Sequence, residues 1–287
     1  MVLDTIQIAS IVGFSLFMLT FAVIAVAGIY YVSSAYHQKL KKRPDLYVVR
    51  IDKAGWIYLS YAMICALFAI LYMCQYLSQG FLVNGILLVP YLRWVMVAVA
   101  GAIEMGTLTY IMTYNTKSAQ RFWVAFIYFL SLALIIGATL SITNPQRLNL
   151  IIWSMAAFVF SMGLLFFPDN LIWDAEHEMG VWQILFSEKP FLSRHNVIAL
   201  YSYAYRVVIL VQVIVVYVAY IIIWFLTDSN QFSTVISTDN SMIAYTVFDL
   251  VGVVPFALFL IYATFAGLTR KVVAVKKDEN GHATSVY

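Results

Sequence analysis

The chain has 287 residues, of which 63% are hydrophobic and only 11% are charged. Soluble domains carry about 25% charged residues. This small number of charged residues cannot cover a water-exposed surface. Lipid must therefore surround most of the outer surface of the protein. The two cysteines, Cys65 and Cys74, lie in one apolar run, where neither a disulfide framework nor a metal site is expected. The net charge of +3 gives no indication of a nucleic-acid partner.

Seven apolar stretches reach the roughly 20 residues that are needed to cross a hydrocarbon core of about 30 Å. The sequence therefore predicts an all-α bundle of seven transmembrane helices, with residues 1–287 forming a single membrane domain. In the long loop between the fifth and sixth spans, the segment WDAEHEMGVWQILF could form a short interfacial helix. The predicted spans are 8–35, 55–77, 88–113, 121–142, 149–168, 198–227 and 242–268.

Lysine and arginine are concentrated in alternate loops. The first loop is rich in basic residues, the third carries Lys117 and Arg121, and the tail from about residue 269 is basic as well. By the positive-inside rule these segments face the cytosol. An odd number of spans then predicts the N-terminus outside and the C-terminus in the cytosol.

Three ionisable residues are predicted deep within spans, namely Arg93 and Glu104 in the third helix and Asp249 in the seventh. Buried charges are costly unless they are paired. Arg93 and Asp249 enter their helices to similar depths, so we expect them to form an intramembrane ion pair. Such a pair can simply fix helix register, or it can belong to a transport route. Glu104 lies about 16 Å deeper than Arg93, with Gln212 of the sixth helix as its expected hydrogen-bond partner.

Several motifs, taken in chain order, resemble those of the microbial (type 1) rhodopsin family. They are Tyr91-Leu92-Arg93-Trp94, then Arg147-Leu148-Asn149 leading to Ala156-Ala157 and Leu165-Phe166-Phe167, the aromatic residues Tyr217, Tyr220 and Trp224, and Asp249 followed by LVGVVPFALFL. The resemblance covers essentially the whole chain. It implies a seven-helix fold with the N-terminus outside.

The family's chemical residues are missing from the matching positions. The resemblance places the lysine that binds retinal one turn after the seventh-helix Asp, where this chain has Val253. It places the counterion carboxylate at Met96 and the inner proton donor at Thr107. No lysine lies within a predicted span; the nine are Lys39, Lys41, Lys42, Lys53, Lys117, Lys189, Lys271, Lys276 and Lys277. Among lysine-free relatives, the chain looks most similar to the opsin-related proteins of fungi, with Pro255 after the Asp and its apolar run.

The three aromatic residues of the sixth helix share one helical face. They could line an apolar pocket for a noncovalent retinoid or a lipid, although such a stripe is more often core packing. The pocket would be formed by Met96, Ala100, Tyr217, Tyr220, Trp224 and Val253. No covalent cofactor and no metal are expected.

Three classes of function remain. The first is a retinal-free, rhodopsin-like membrane protein that acts as a sensor, scaffold or interaction partner. The second is a light-independent ion or proton pathway, and the third is a structural subunit of a larger assembly. Long apolar faces suit lipid, a second copy of the chain or another protein equally well. No Walker, HExxH, CxxC or GxSxG pattern is present, so no enzymatic activity is predicted.

Overall fold

Long apolar runs become helices here because a span in lipid must satisfy its backbone N–H and C=O groups within itself. The computed structural model describes residues 5–40, 46–79, 81–84, 87–112, 118–140, 146–166, 203–227, 235–269, 274–277 and 283–286. The prediction of seven helices is confirmed. They are α1 (Thr5–Leu40), α2 (Leu46–Tyr76), α3 (Tyr91–Met112), α4 (Ser118–Leu140), α5 (Arg147–Phe166), α6 (Tyr203–Leu226) and α7 (Thr238–Thr269).

Two short antiparallel hairpins accompany the helices in the described part of the chain, and the sequence did not predict either of them. Strands β1 (Leu82–Asn84) and β2 (Leu87–Val89) join α2 to α3, and β3 (Ala274–Lys277) pairs with β4 (Ala283–Val286) in the tail. The predicted start of the third helix at residue 88 was therefore wrong, because α3 begins at Tyr91. Pro90 explains the difference, since the residue before a proline is driven towards extended backbone.

Helices α1 and α2 are longer than their predicted spans. The 36 residues of α1 correspond to about 54 Å, well beyond a hydrocarbon core. Hydropathy marks only the lipid-embedded part, whereas backbone hydrogen bonds continue into the polar region. Lys39 and Lys53 therefore lie in these helices but outside their apolar spans, Thr5–His37 and Ala54–Tyr76.

The outward faces of the bundle are apolar. Five of the described helices are long and apolar enough to cross a membrane, which agrees with an integral, multi-pass membrane protein. Large hydrophobic side chains are exposed on several helices, as lipid contact requires; examples are Val26 on α1, Trp123 on α4, and Trp153 and Val159 on α5. The predicted interfacial helix between α5 and α6 lies outside the described residues.

Helices α1 to α4 each pack against the next helix along the chain, as α6 does against α7, and α1 also contacts α7, which closes the bundle. The α1–α2 contact is close because two glycines face the opposite helix. A Cβ on Gly28 would lie 3.2 Å from the backbone nitrogen of Leu59, and a Cβ on Gly55 would lie 2.9 Å from that of Val32. This close packing fixes α2 in position to present its polar side chains to α3 and α7.

Gly101 in α3 and Gly163 in α5 provide a matched test of this packing. A Cβ on Gly101 would lie 2.4 Å from Cε1 of Tyr128, whereas a Cβ on Gly163 would meet nothing within 4 Å. Alanine has the higher helix propensity at both positions. We expect Gly101→Ala to lower stability by about 1–3 kcal/mol, as overpacking does, and Gly163→Ala to leave the melting temperature in mild detergent unchanged or slightly higher. Equal melting temperatures for the two variants would show that Tyr128 does not pack on α3.

Candidate functional site

A buried ion pair joins α3 to α7. Arg93 Nη1 lies 2.7 Å from Asp249 Oδ2, and the two side chains are 0% and 1% exposed. Arg93 occupies the first turn of α3, while Asp249 lies in the fourth turn of α7, which begins at the same end of the bundle. The structure thus brings together the two residues that were expected to meet. An arginine cannot lose its proton, so the buried charge of Arg93 must be balanced by the carboxylate of Asp249.

Polar groups from α2 and α6 complete the shell around the guanidinium. Tyr72 donates its hydroxyl hydrogen to Asp249 Oδ2 at 2.5 Å. The Nη atoms of Arg93 also donate to the Tyr220 hydroxyl at 3.4 Å and to Gln75 Oε1 at 3.4 Å. One network therefore ties α2, α3, α6 and α7 together.

Aromatic rings enclose the same arginine. Its Cζ atom lies 5.1 Å from the ring centroid of Tyr245 and 5.6 Å from that of Tyr72, distances at which cation–π attraction applies. The Tyr72 ring is set in place by α1, because it stacks on Phe17 with centroids 5.7 Å apart. It also fills the space in which a Cβ on Gly13 would come within 2.8 Å of Tyr72 Cδ1.

A second polar contact lies deeper between α2 and α3. The Tyr61 hydroxyl donates to Glu104 Oε1 at 3.3 Å. The expected Glu104–Gln212 hydrogen bond is not among the described contacts, because Gln212 donates its Nε2 hydrogen to the carbonyl of Gly252 at 3.0 Å. Both Glu104 and Gln212 are half-buried rather than fully buried.

The aromatic stripe of α6 is fully engaged with neighbouring helices. Tyr217 stacks on Phe158 of α5 with centroids 3.7 Å apart, and its hydroxyl lies 2.8 Å from Ser131 Oγ of α4. Tyr220 meets Trp94 edge-on. Trp224 Nε1 donates to Thr139 Oγ1 at 2.8 Å.

The positions that the resemblance assigns to photochemistry carry no charge. Val253 is buried and Met96 is half-buried. Ala100, which was predicted only as a lining residue of the apolar pocket, is buried as well. The hydroxyl of Thr107 donates to the backbone carbonyl of Ile103 at 2.7 Å, as threonines in helices commonly do. In the described part of the chain, no three His, Cys, Asp or Glu residues are grouped so as to hold a metal ion.

Sequence reasoning missed the tyrosines of α2. A signal was available, because Tyr61 and Tyr72 are eleven residues apart, and so are Arg93 and Glu104. Two antiparallel helices with equal spacing can align both pairs, which is what the structure shows. Tyrosines are so numerous in this chain that the spacing does not single these two out in the sequence.

Solved microbial rhodopsins have the same fold. A thermophilic rhodopsin from Rubrobacter xylanophilus superposes with a TM-score of 0.67 at 15% identity, over 92% of this chain and 98% of that one. A light-driven proton pump from Leptosphaeria maculans gives 0.60 at 16% identity, over 88% and 96%. A cyanorhodopsin from the cyanobacterium Calothrix gives 0.59 at 15% identity, over 93% and 98%.

No protein-family model matches the chain, and no curated protein sequence matches it. The likeness therefore lies in the fold, which is that of the seven-helix microbial rhodopsins.

Tyr72→Phe should test the network with little change in shape. The variant removes the hydroxyl that donates to the buried carboxylate, and the loss of a hydrogen bond to a charged group costs about 1.5–3 kcal/mol. The matched control is Tyr245→Phe, because Tyr245 meets Arg93 through its ring. We expect a clear fall in detergent melting temperature for the first variant and almost none for the second. A fall of the same size in both would mean that the Tyr72 hydroxyl does not serve Asp249.

Proposed function

We propose that this chain is a retinal-free, rhodopsin-like integral membrane protein that acts as a sensor, scaffold or interaction partner, not as a photoreceptor with covalently bound retinal. The observation that carries the proposal is the state of Asp249. One of its oxygens accepts hydrogen bonds from both Arg93 and Tyr72. The charge of the Asp249 carboxylate is thereby balanced by other side chains of the protein. It does not need a cationic side chain one turn later, at position 253.

The residue one turn after Asp249 supports the same conclusion. Val253 is only 8% exposed, and its side chain has no nitrogen with which to form a Schiff base. A carboxylate at position 96 would have no cation to serve there, and a buried unpaired charge is unfavourable. Val253 and Met96 are thus consistent with each other in a protein without the chromophore.

A light-independent proton or ion pathway fits less well. Such a route needs a continuous file of polar groups, but Val97 and Ala100 separate Arg93 from Glu104 along α3. The guanidinium of Arg93 is held by Asp249, Tyr72, Gln75 and Tyr220. An arginine with so many fixed contacts is better suited to joining helices than to passing ions.

A role as a structural subunit is favoured by one surface feature. On α4, Phe122 stacks on Phe126 with centroids 5.7 Å apart, and Trp123 meets Phe126 edge-on at 5.9 Å. All three side chains are exposed, and aromatic residues are enriched where proteins meet proteins. Lipid could cover this surface as well as a protein neighbour could. The native mass of the protein in mild detergent distinguishes these alternatives, because a mass above that of the monomer favours an assembly.

Retinal reconstitution tests the proposal. We expect that expression with all-trans retinal gives no visible band that hydroxylamine bleaches, because no lysine lies in the apolar spans. The Leptosphaeria maculans proton pump, expressed in parallel, is the positive control. A bleachable band from the purified chain would overturn the proposal and the assignment of Val253.

Restoring the lysine alone should not restore a pigment. In Val253→Lys the new cation would have Asp249 nearby, but that carboxylate already serves Arg93 and Tyr72. Adding a second carboxylate in Val253→Lys with Met96→Asp should raise the yield of pigment, as judged by the absorbance of a hydroxylamine-sensitive band. Val253→Met serves as the control without an amine. Equal yields from the single and double variants would contradict the placement of Met96 near position 253.

A further inference from the structure

A proline lies in the interior of α7. The helix runs from Thr238 to Thr269 and contains Pro255 near its middle. Proline has no backbone N–H group, so the carbonyl of Val251, four residues earlier, lacks the donor that a helix normally supplies, and the proline ring also presses on that carbonyl. The turn formed by residues 251–255 is therefore the place at which α7 bends most easily.

The two halves of α7 are held in different ways. In the half before this turn, Asp249 forms its ion pair with Arg93 at 2.7 Å and accepts a hydrogen bond from Tyr72. In the half after it, the Tyr58 hydroxyl of α2 donates to the backbone carbonyl of Ile261 at 3.4 Å, which is longer than the usual range of about 2.5–3.0 Å for an O–H donor. The first half is thus anchored by charge, and this contact of the second half is a weak one.

A side chain of α6 supplies a donor to the turn that the proline loosens. Gln212 Nε2 donates to the carbonyl of Gly252 at 3.0 Å, while the enclosed Oε1 atom of the same amide has no hydrogen-bond partner in the described part of the chain. The two helices also approach closely at this level, because a Cβ on Gly252 would lie 3.0 Å from Cγ2 of Val216. This close approach gives a fixed point about which the second half of α7 can turn.

We propose that α7 has a hinge at residues 251–255, and that the hydrogen bond from Gln212 to Gly252 holds this hinge closed. When the bond breaks, residues 255–269 move away from α2, while Asp249 stays with Arg93. The protein would then have two states that differ at one end of the bundle, and a sensor needs two such states for a signal to shift their populations. The inference goes beyond the proposed function and does not depend on whether retinal binds.

Distances between nitroxide labels on α2 and α7 test the hinge in the full chain in lipid nanodiscs. One pair, Met73→Cys with Val247→Cys, reports on the half of α7 before the turn. The other pair, Met63→Cys with Tyr262→Cys, reports on the half after it. All four native side chains are exposed, so the labels should not disturb the packing between helices. The two native cysteines are first replaced by alanine.

Breaking the bond from α6 should move only the second half of α7. Gln212→Met keeps a side chain of similar length but removes the amide donor. We expect it to raise the population of a longer distance in the second pair by about fivefold, the factor that corresponds to one net hydrogen bond, and to leave the first pair unchanged. Thr246→Val is the matched control, since the Thr246 hydroxyl donates to the carbonyl of Met242 on its own helix, and it should match the wild type at both pairs. Unchanged distances in Gln212→Met, or equal changes at both pairs, would overturn the proposal.

Pro255→Ala then locates the hinge. Alanine restores an N–H donor for the carbonyl of Val251 and favours the helix, so this variant should fold. Combined with Gln212→Met, it should return the second pair to the wild-type distances, and persistence of the longer distance would show that α7 does not bend at this turn. If Gln212→Met does not fold, Pro255→Ala alone decides the matter. Its second-pair distances should be distributed more narrowly than those of the wild type, and equal widths would overturn the proposal.

Discussion

The contact between Arg93 and Asp249 is the interaction on which the rest of the structure depends. An ionised pair inside a membrane protein is tolerated only when each charge meets the other and the remaining polar atoms are bonded. Four helices contribute to this arrangement here. Tyr72 of α2 and Tyr220 of α6 form hydrogen bonds to the ion pair that joins α3 to α7. α1 takes part indirectly, since Phe17 stacks on Tyr72. Only α4 and α5 are held in other ways.

Helix α4 packs on α3 and α5 packs on α4, and the aromatic stripe of α6 adds contacts to both. Tyr217 reaches α5 by stacking and α4 through Ser131, while Trp224 reaches α4 through Thr139. Within the membrane there is little hydrophobic drive between helices, so close packing and interhelical hydrogen bonds determine which helices meet. The aromatic stripe of α6 and the ion pair together provide such contacts.

The sequence predicted the number of helices, their order and the pairing of Arg93 with Asp249, because long apolar runs and rare intramembrane charges are strong signals. Helix ends were less accurate, since the backbone of α1 and α2 continues past the lipid and Pro90 delays α3. The roles of Tyr61, Tyr72 and Phe158 could not be predicted, because aromatic residues occur throughout the chain. The partner of Gln212 was also missed, since a backbone carbonyl such as that of Gly252 leaves no trace in side-chain patterns. Orientation in the membrane stays a prediction from the basic loops.

The measurement that tests the central claim most directly is a double-mutant cycle on the ion pair. It compares the detergent stability of the wild type, Arg93→Gln, Asp249→Asn and the double variant. Removing one partner of a buried pair costs about 3–5 kcal/mol, and Asp249→Asn should cost more than Arg93→Gln, because a stranded guanidinium cannot lose its proton whereas a stranded carboxylate can gain one. The account predicts that the double variant recovers part of the stability lost in each single variant. Strict additivity would mean that the two side chains do not meet, and it would contradict the packing of α3 against α7.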